Sequence, residues 1–391
     1  MPKMSTTHPS FPDQRTLRIA LNATPNLSRP ALYRLAQDLD AWLGSPGSPE
    51  PPDRLAGLLG VPRTQMRRAL AVVAEAPAAA AREIEAAERL GARLLVAGDP
   101  DYPAALDQLT LPPPVLAVCG EIPAGPAVAI VGSRRTDAYG QEVAELFARS
   151  LAGAGVTIVS GFARGIDAAA HRGALAAEGG RTVAVLGCGL GVDYPAGHER
   201  LGREIAARGA LVSEFPCGAS PRAWHFPVRN RVLAALAAGT LVVQAAPRSG
   251  SLLTARWAAD LGRDVWAIPG RIFDERSLGP NALIRDGAPL IQHPRDILEA
   301  LLPSGAVLDR PASSSAPARS VEESQDGGEW EPLPSGFPGA VLAALPAGAL
   351  RFPEEIAAGL EAPVDQVLGA LLELELGGRV RRHPGSAYGR M

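Results

Sequence analysis

The sequence predicts an α/β fold: one mostly parallel sheet covered by helices on both faces, with a small helical module before it and a three-helix-and-hairpin module after it. Three observations carry this. From residue 83 to residue 302, short apolar, β-branched runs alternate with amphipathic helical stretches. The runs are continuously apolar rather than alternating, which marks strands buried on both faces, the habit of parallel sheets. Glycine and proline punctuate each strand end, so the same stretch does not read as a helical bundle.

In chain order, residues 1–16 read as a disordered polar tail rich in Pro, Ser and Thr. Residues 17–82 form the helical module, with helices over Pro30–Leu43, Pro52–Leu59 and Thr64–Ala74 and a Gly/Pro/Ser break from Gly44 to Pro52. Its clearest start signal is Leu27-Ser28-Arg29-Pro30, a serine cap followed by proline in the first turn. The predicted strands are Val128–Val131, Val156–Val159, Thr182–Leu186, Ala210–Ser213, Thr240–Gln244 and Asp264–Ile268. Helices over Tyr139–Ala152, Ala168–Ala177, His198–Ala207, Arg229–Ala238 and Leu252–Leu261 alternate with them. Residues 303–336, with Ser313-Ser314-Ser315 and Asp326-Gly327-Gly328, have linker composition. Residues 337–391 give helices over Pro338–Leu345, Pro353–Leu360 and Val364–Leu376, then a hairpin of Arg379–Arg382 and Ser386–Arg390, a winged-helix pattern.

Bulk composition narrows the function. The chain has 391 residues, is 47% hydrophobic and 20% charged, and carries a net charge of -3. With pI about 6.1 there is no global basic signature, so any nucleic-acid role rests on a local patch. Lys3 is the only lysine, so nearly every cation is an arginine, whose planar fork grips phosphate with two bonds or stacks on a base. Cys119, Cys188 and Cys217 are odd in number and far apart, which predicts neither a disulfide framework nor a zinc site, and a reducing, cytoplasmic setting. Residues 1–14 lack a signal-peptide core, and no apolar run is long enough to span a bilayer.

Ligands of open parallel sheets bind where strands end and helices begin, and the sequence is most unusual there. The first strand runs into Gly132-Ser133-Arg134-Arg135, the second into Ser160-Gly161-Phe162-Ala163-Arg164-Gly165-Ile166-Asp167, and the third into Gly187-Cys188-Gly189 through Tyr194-Pro195. Phe226-Pro227-Val228-Arg229-Asn230-Arg231 follows the fourth strand, and Arg248-Ser249-Gly250-Ser251 the fifth. Glycines admit a close ligand, helix starts favour anions, and arginines 134, 135, 164, 229, 231 and 248 are expected to converge on one sheet edge. Phe226 adds a stacking face and Asn230 an amide for a base edge; phosphate grip plus stacking is how single strands are held. Plainer readings stand beside this one: each single glycine as ordinary turn chemistry, Phe226 as core, Arg231 as a structural ion pair and Ser249 as a helix cap.

In these residues the sequence resembles the DNA-processing protein A family, DprA or Smf. The likeness runs in order through Ala129–Arg134, Ser160–His171, Phe226–Arg231, Ser249–Ala255, Pro269-Gly270 and Asn281–Ala288. The resemblance implies an extended Rossmann fold that binds single-stranded DNA, loads the RecA recombinase onto it in natural transformation and recombinational repair, and helps displace the single-stranded-DNA-binding protein. It implies that Arg134, Arg164, Phe226, Arg229 and Asn230 line the DNA pocket and that Gly132, Ser133 and Gly161 offer backbone contacts. Arg164 stands where many relatives carry lysine. A homodimer formed at the end of the Rossmann domain, with the RecA contact nearby, would use Leu283, Ile284, Leu290 and Ile291, whose plainer reading is core packing. The helical module resembles the sterile-alpha-motif-like or helix-hairpin-helix domain of relatives, and the tail resembles their winged helix.

Three rival readings fit parts of the sequence. Gly187-Cys188-Gly189-Leu190-Gly191 tempts a nucleotide enzyme, but its third glycine falls one residue early for a dinucleotide fingerprint, and no P-loop is present. Asp167, Asp193 and Glu214 follow strands, as a magnesium site of a nuclease would need. A nucleoside-monophosphate hydrolase lacks its Pro-Gly-Gly-x-Gly-Thr signature, and His171, His198 and His225 are scattered. The expectation is therefore a DNA-binding protein with no cofactor, metal or catalytic residue.

Overall fold

The computed structural model describes residues 12–39, 52–301, 336–345, 350–360, 362–376, 379–382 and 388–390. The chain forms two compact units, Met1–Val307 and Leu308–Met391.

The first unit is built on parallel strands β3 (Ala127–Val131), β4 (Thr157–Ser160), β5 (Thr182–Val185), β6 (Gly209–Ser213), β7 (Gly239–Val242) and β8 (Asp264–Ala267). Two earlier strands, β1 (Ala92–Val96) and β2 (Val115–Gly120), continue the sheet antiparallel beyond β6. The order is β1-β2-β6-β5-β4-β3-β7-β8. Successive side chains of a strand point to opposite faces. Accordingly Val128 and Ile130 join one core, with Phe147, Leu151, Ile166 and Trp266, while Ala129 and Val131 join the other, with Val232, Leu233 and Ala255. Helices α6 (Ala138–Gly153) and α7 (Ile166–Ala176) supply the first layer, and α9 (His225–Ala235) and α10 (Gly250–Asp260) the second. Helix α8 (Glu199–Arg208) buries Ile205 toward the β6 side, and α11 (Glu275–Arg285) and α12 (Pro294–Leu301) follow β8. The strand order reverses at β3, so the loops leaving β3 and β7 part and open a crevice at the C-terminal edge.

Helices α1 (Gln14–Ala23), α2 (Arg29–Gln37), α3 (Pro52–Leu58), α4 (Arg63–Val73) and α5 (Ala76–Arg89) precede the sheet. Helix α1 begins inside the stretch read as tail because the Asp13 side chain accepts the Thr16 N–H, a standard cap. Leu17, Leu21, Leu32, Leu35 and Met66 make their core, and Leu111 and Val228 of the α/β part pack on it. Helix α5 crosses the expected boundary at residue 82 without a break, so helices and sheet form one unit. Helix α2 ends at Gln37; residues 40–43 of the predicted helix and residues 303–335 of the predicted linker lie outside the described residues.

The second unit has α13 (Phe337–Ala343), β9 (Leu350–Arg351), α14 (Pro353–Leu360), α15 (Val364–Leu376), β10 (Val380–Arg382) and β11 (Tyr388–Arg390). Its antiparallel sheet has the order β10-β11-β9, and Val341, Leu342, Ile356, Val367, Leu371 and Tyr388 fill the core, a winged helix. No helix of the described residues is long and apolar enough to cross a membrane.

Candidate nucleic-acid interface

The crevice is walled by loops that the sequence holds open with glycine. At the end of β3, a Cβ on Gly132 would stand 2.6 Å from Ile166 Cγ1 and 2.8 Å from the Gln244 carbonyl oxygen. Only glycine lets the chain pass between α7 and the end of β7. The loop is then stitched in place: Ser133 N–H donates to the Gln244 carbonyl at 2.7 Å, and Ser251 Oγ donates to the Gly132 carbonyl at 2.8 Å. Arg134 turns out of this loop with its guanidinium carbon 4.7 Å from the Phe226 ring centroid. Phe226, in the first turn of α9, lies against the backbone of Gly187, where a Cβ would come 2.7 Å from the ring. Tyr194 flanks the same ring at 5.5 Å between centroids, tilted by 45°.

Beneath the loops lies Arg229. Its guanidinium donates to the carbonyls of Gly161 and Val185, tying the ends of β4 and β5 together, and its Nε donates to Asn230 Oδ1 at 3.2 Å. A Cβ on Gly161 would stand 2.5 Å from Arg229 Nη1 and 2.6 Å from Asp167 Oδ2. Asp167 is buried there and accepts the Ala163 N–H at 3.2 Å. Burial pushes the Asp167 carboxyl up and the neighbouring Arg229 charge opposes this; burial pushes Arg229 down to about 10 and Asp167 opposes that. Arg229 is still a cation at neutral pH, and its field reaches the cleft floor. Asn230 Nδ2 donates to the Gly250 carbonyl at 3.1 Å, fixing the start of α10, which Ser249 caps through its Oγ and the Ser251 N–H.

The result is a cleft of two adjoining lobes. One, of about 440 Å³, is lined by Gly132, Ser133, Arg134, Arg229, Asn230, Arg248, Ser249 and Thr254. The other, of about 610 Å³, is lined by Arg135, Gly161, Arg164, Gly187, Asp193, Tyr194 and Phe226. Arg134, Arg135, Ala163 and Phe226 border both. Arg134, Arg135, Arg164 and Arg248 are exposed along the rim. None of these arginines is in an ion pair among the described residues; Arg164 donates to the Ala196 carbonyl at 3.2 Å. Guanidinium groups at a rim with aromatic faces between them suit a flexible polyanion that carries rings.

Three expected features come out differently. Arg231 is not at the rim: its Nη2 lies 2.6 Å from Glu214 Oε2, its Nη1 donates to the Leu111 carbonyl at 2.8 Å, and its guanidinium lies over Tyr33 at 4.6 Å. Helix geometry is the reason. Residues two apart on a helix differ by about 200° in direction, so Arg229 and Arg231 cannot serve one cleft. Part of the backbone of Gly132, Ser133 and Gly161 is bonded inside the protein: the Ser133 N–H to Gln244, the Gly132 carbonyl to Ser251 and the Gly161 carbonyl to Arg229. Ile291, expected at an interface, is 3% exposed in the core beside Ile268 and Ile297. Of its companions, Leu290 is exposed, Leu283 and Ile284 are half-buried, and Leu283 packs on the core. The acids also separate: Asp167 lies under Arg229, Asp193 is exposed beside Tyr194, and Glu214 is paired with Arg231. Among the described residues no three of His, Cys, Asp or Glu gather as metal ligands would. Sequence reasoning assigned no role to Tyr194 or Gly187; the available signal was a Tyr-Pro pair closing a glycine-rich loop at a strand end.

The family model described as DNA recombination-mediator protein A matches residues 93–302, and that described as DprA winged helix domain matches residues 331–386. Protein Smf of Escherichia coli (strain K12) is 40% identical over 301 residues, 75% of this chain and 76% of that protein. The X-ray structure of DNA processing protein A from Streptococcus pneumoniae is 32% identical, with a TM-score of 0.61, over 73% of this chain and 97% of that one. DNA processing protein A from Helicobacter pylori, described as having a unique single-stranded DNA binding mode, is 31% identical over 53% of this chain and 95% of that one; its TM-score is 0.48, an overlap that says nothing about this chain's ligand.

Proposed function

The chain belongs to the DNA recombination-mediator protein A family, and we propose that it holds single-stranded DNA in the arginine-rimmed cleft and hands that strand to the RecA recombinase. The observation that carries the DNA half is the grouping of Arg134, Phe226 and Tyr194 between rim arginines free of carboxylate partners among the described residues. Rim cations take phosphates and the two rings take a base. The protein acts by binding: Asp167 is buried near the Arg229 charge and Glu214 is ion-paired with Arg231, which leaves both poor metal ligands. The RecA hand-over, the displacement of the single-stranded-DNA-binding protein, the cytoplasmic setting and the roles in transformation and repair rest on the family resemblance alone. A homodimer would use the outward-facing Leu290 with Ile284, and would link two clefts on one strand, raising apparent affinity.

Fluorescence-anisotropy titrations with single- and double-stranded oligonucleotides, with and without magnesium, test this reading. The single strand binds more tightly, because duplex bases are not free to splay against Phe226, and it is recovered intact. Equal affinity for both forms, or magnesium-dependent cleavage, overturns it.

A further inference from the structure

We infer that Trp224 is a second stacking platform for the same single strand, just outside the cleft, with Arg222 as its phosphate partner. This rests on the cleft reading above and extends it to a position with no assigned role.

Trp224 immediately precedes α9 and is 45% exposed, unusual for the largest apolar side chain. It is not loosely held. Its ring stands edge-on to His225 at 4.2 Å and 88°, and edge-on to Phe215 at 6.2 Å and 74°. His225 and Phe215 are themselves stacked at 3.9 Å, with the Arg29 guanidinium 4.9 Å from the Phe215 centroid. His225 is further bound to the Gly187 carbonyl at 3.1 Å, on the same glycine that seats Phe226. One rigid aromatic block therefore runs from the cleft wall to Trp224 and leaves the indole open to solvent. Trp224 stands two residues before Phe226, at most about 7 Å away between Cα atoms, and its side chain leaves the start of α9 in a different direction, so a strand held at Phe226 turns around the helix start to reach the indole.

The charge around it fits the same ligand. Arg222 is exposed; burial first, and then the charges of Arg29 and Arg222, hold the His225 ring toward the neutral form. An exposed, pre-ordered indole in a positive field attracts a base stacked on its face and a phosphate beside it, and loses little entropy on binding.

The test is a length series of oligothymidylates, from about 4 to about 16 nucleotides, against wild type, Trp224→Ala, Trp224→Phe and Phe226→Ala. For the shortest oligonucleotide, Trp224→Ala matches wild type. With length, wild type gains affinity that Trp224→Ala does not, ending about tenfold weaker, the size of one lost stack. Trp224→Phe recovers most of the difference. Should Trp224→Ala fail to fold, Arg222→Ser on the exposed loop shows the same length-dependent loss. The inference fails if Trp224→Ala tracks wild type at every length while Phe226→Ala is weak, which leaves the cleft reading intact. It fails equally if Trp224→Ala weakens all lengths alike, since the indole would then only position Phe226. If Phe226→Ala also binds like wild type, the cleft reading falls with it.

Discussion

Replacing Arg231 with methionine separates the arginines that hold this protein together from those that hold its ligand. Arg231 and Glu214 have side chains 8% and 1% exposed, and their ion pair is 2.6 Å long. Glu214 Oε2 also accepts the Tyr33 hydroxyl, which burial first and Glu214 second hold in its protonated, donating form. Glu214 Oε1 has no partner of its own. Arg231→Met leaves a buried carboxylate with a single donor and strips the Leu111 carbonyl of its hydrogen bond. Breaking one side of such a pair costs about 3–5 kcal/mol, a large share of a total stability of about 5–15 kcal/mol. Through the Tyr33 hydroxyl on Glu214, α2 is tied to the same pair, so the loss falls on the helical module as well as the sheet. Urea unfolding followed by circular dichroism reads it as a lower midpoint. Adding Glu214→Gln recovers much of the loss, because the stranded charge is gone. The folded fraction of Arg231→Met binds an oligonucleotide within about twofold of wild type. A variant as stable as wild type that binds tenfold more weakly would return Arg231 to the cleft and refute the argument.

The rim arginines behave in the opposite way. Arg134→Ala and Arg248→Ala change stability by less than about 0.5 kcal/mol, yet each flattens the slope of log K against log salt by about 0.7 for the phosphate it releases; a salt titration by anisotropy checks this. Gly187→Ala drives a methyl into Phe226, costing about 1–3 kcal/mol of overpacking and about tenfold in affinity, whereas an ordinary turn glycine would show neither in paired melting and binding curves. His171 gives a pH signature. Burial first, then the charges of His198 and Arg229, push it down to about 3, so the folded form stays neutral while the unfolded chain takes a proton below about 6.5. Its contribution is therefore full above pH 6.5 and falls as pH drops toward 3, by about 2 kcal/mol at pH 5. Urea midpoints at pH 7 and pH 5 converge in His171→Gln, and an unchanged gap would place the titration elsewhere.

Much of this was readable from sequence, for stated reasons. Strands β3 to β8 are mostly apolar runs followed by glycine or proline, the pattern of a doubly covered parallel sheet. Strands β1 and β2 were not anticipated: Arg93 interrupts the first, and the second sits behind Pro112-Pro113-Pro114, which hides it from a periodicity search. Helix α5 is hard to read from the sequence because its alanine-rich stretch carries few large apolar markers. Gly132, Arg134, Gly161, Arg164, Phe226 and Ser249 come together as expected from their places at strand ends. What the pattern of types did not convey was direction. Helix α9 is buried at His225 and from Arg229 onward, so His225, Arg229, Asn230 and Arg231 each face a different interior neighbour. A run of polar residues in one motif was read as one surface, and only the third dimension separates strut, strap and ion pair.

Photocrosslinking of a 5-iodouracil-substituted oligonucleotide, followed by peptide mapping, goes to the central claim most directly. The account predicts adducts on Phe226 or Tyr194, competed away by unlabelled single strand and lost in Arg134→Glu. Adducts confined to residues of the winged helix, with none at the C-terminal edge of the sheet, would contradict it.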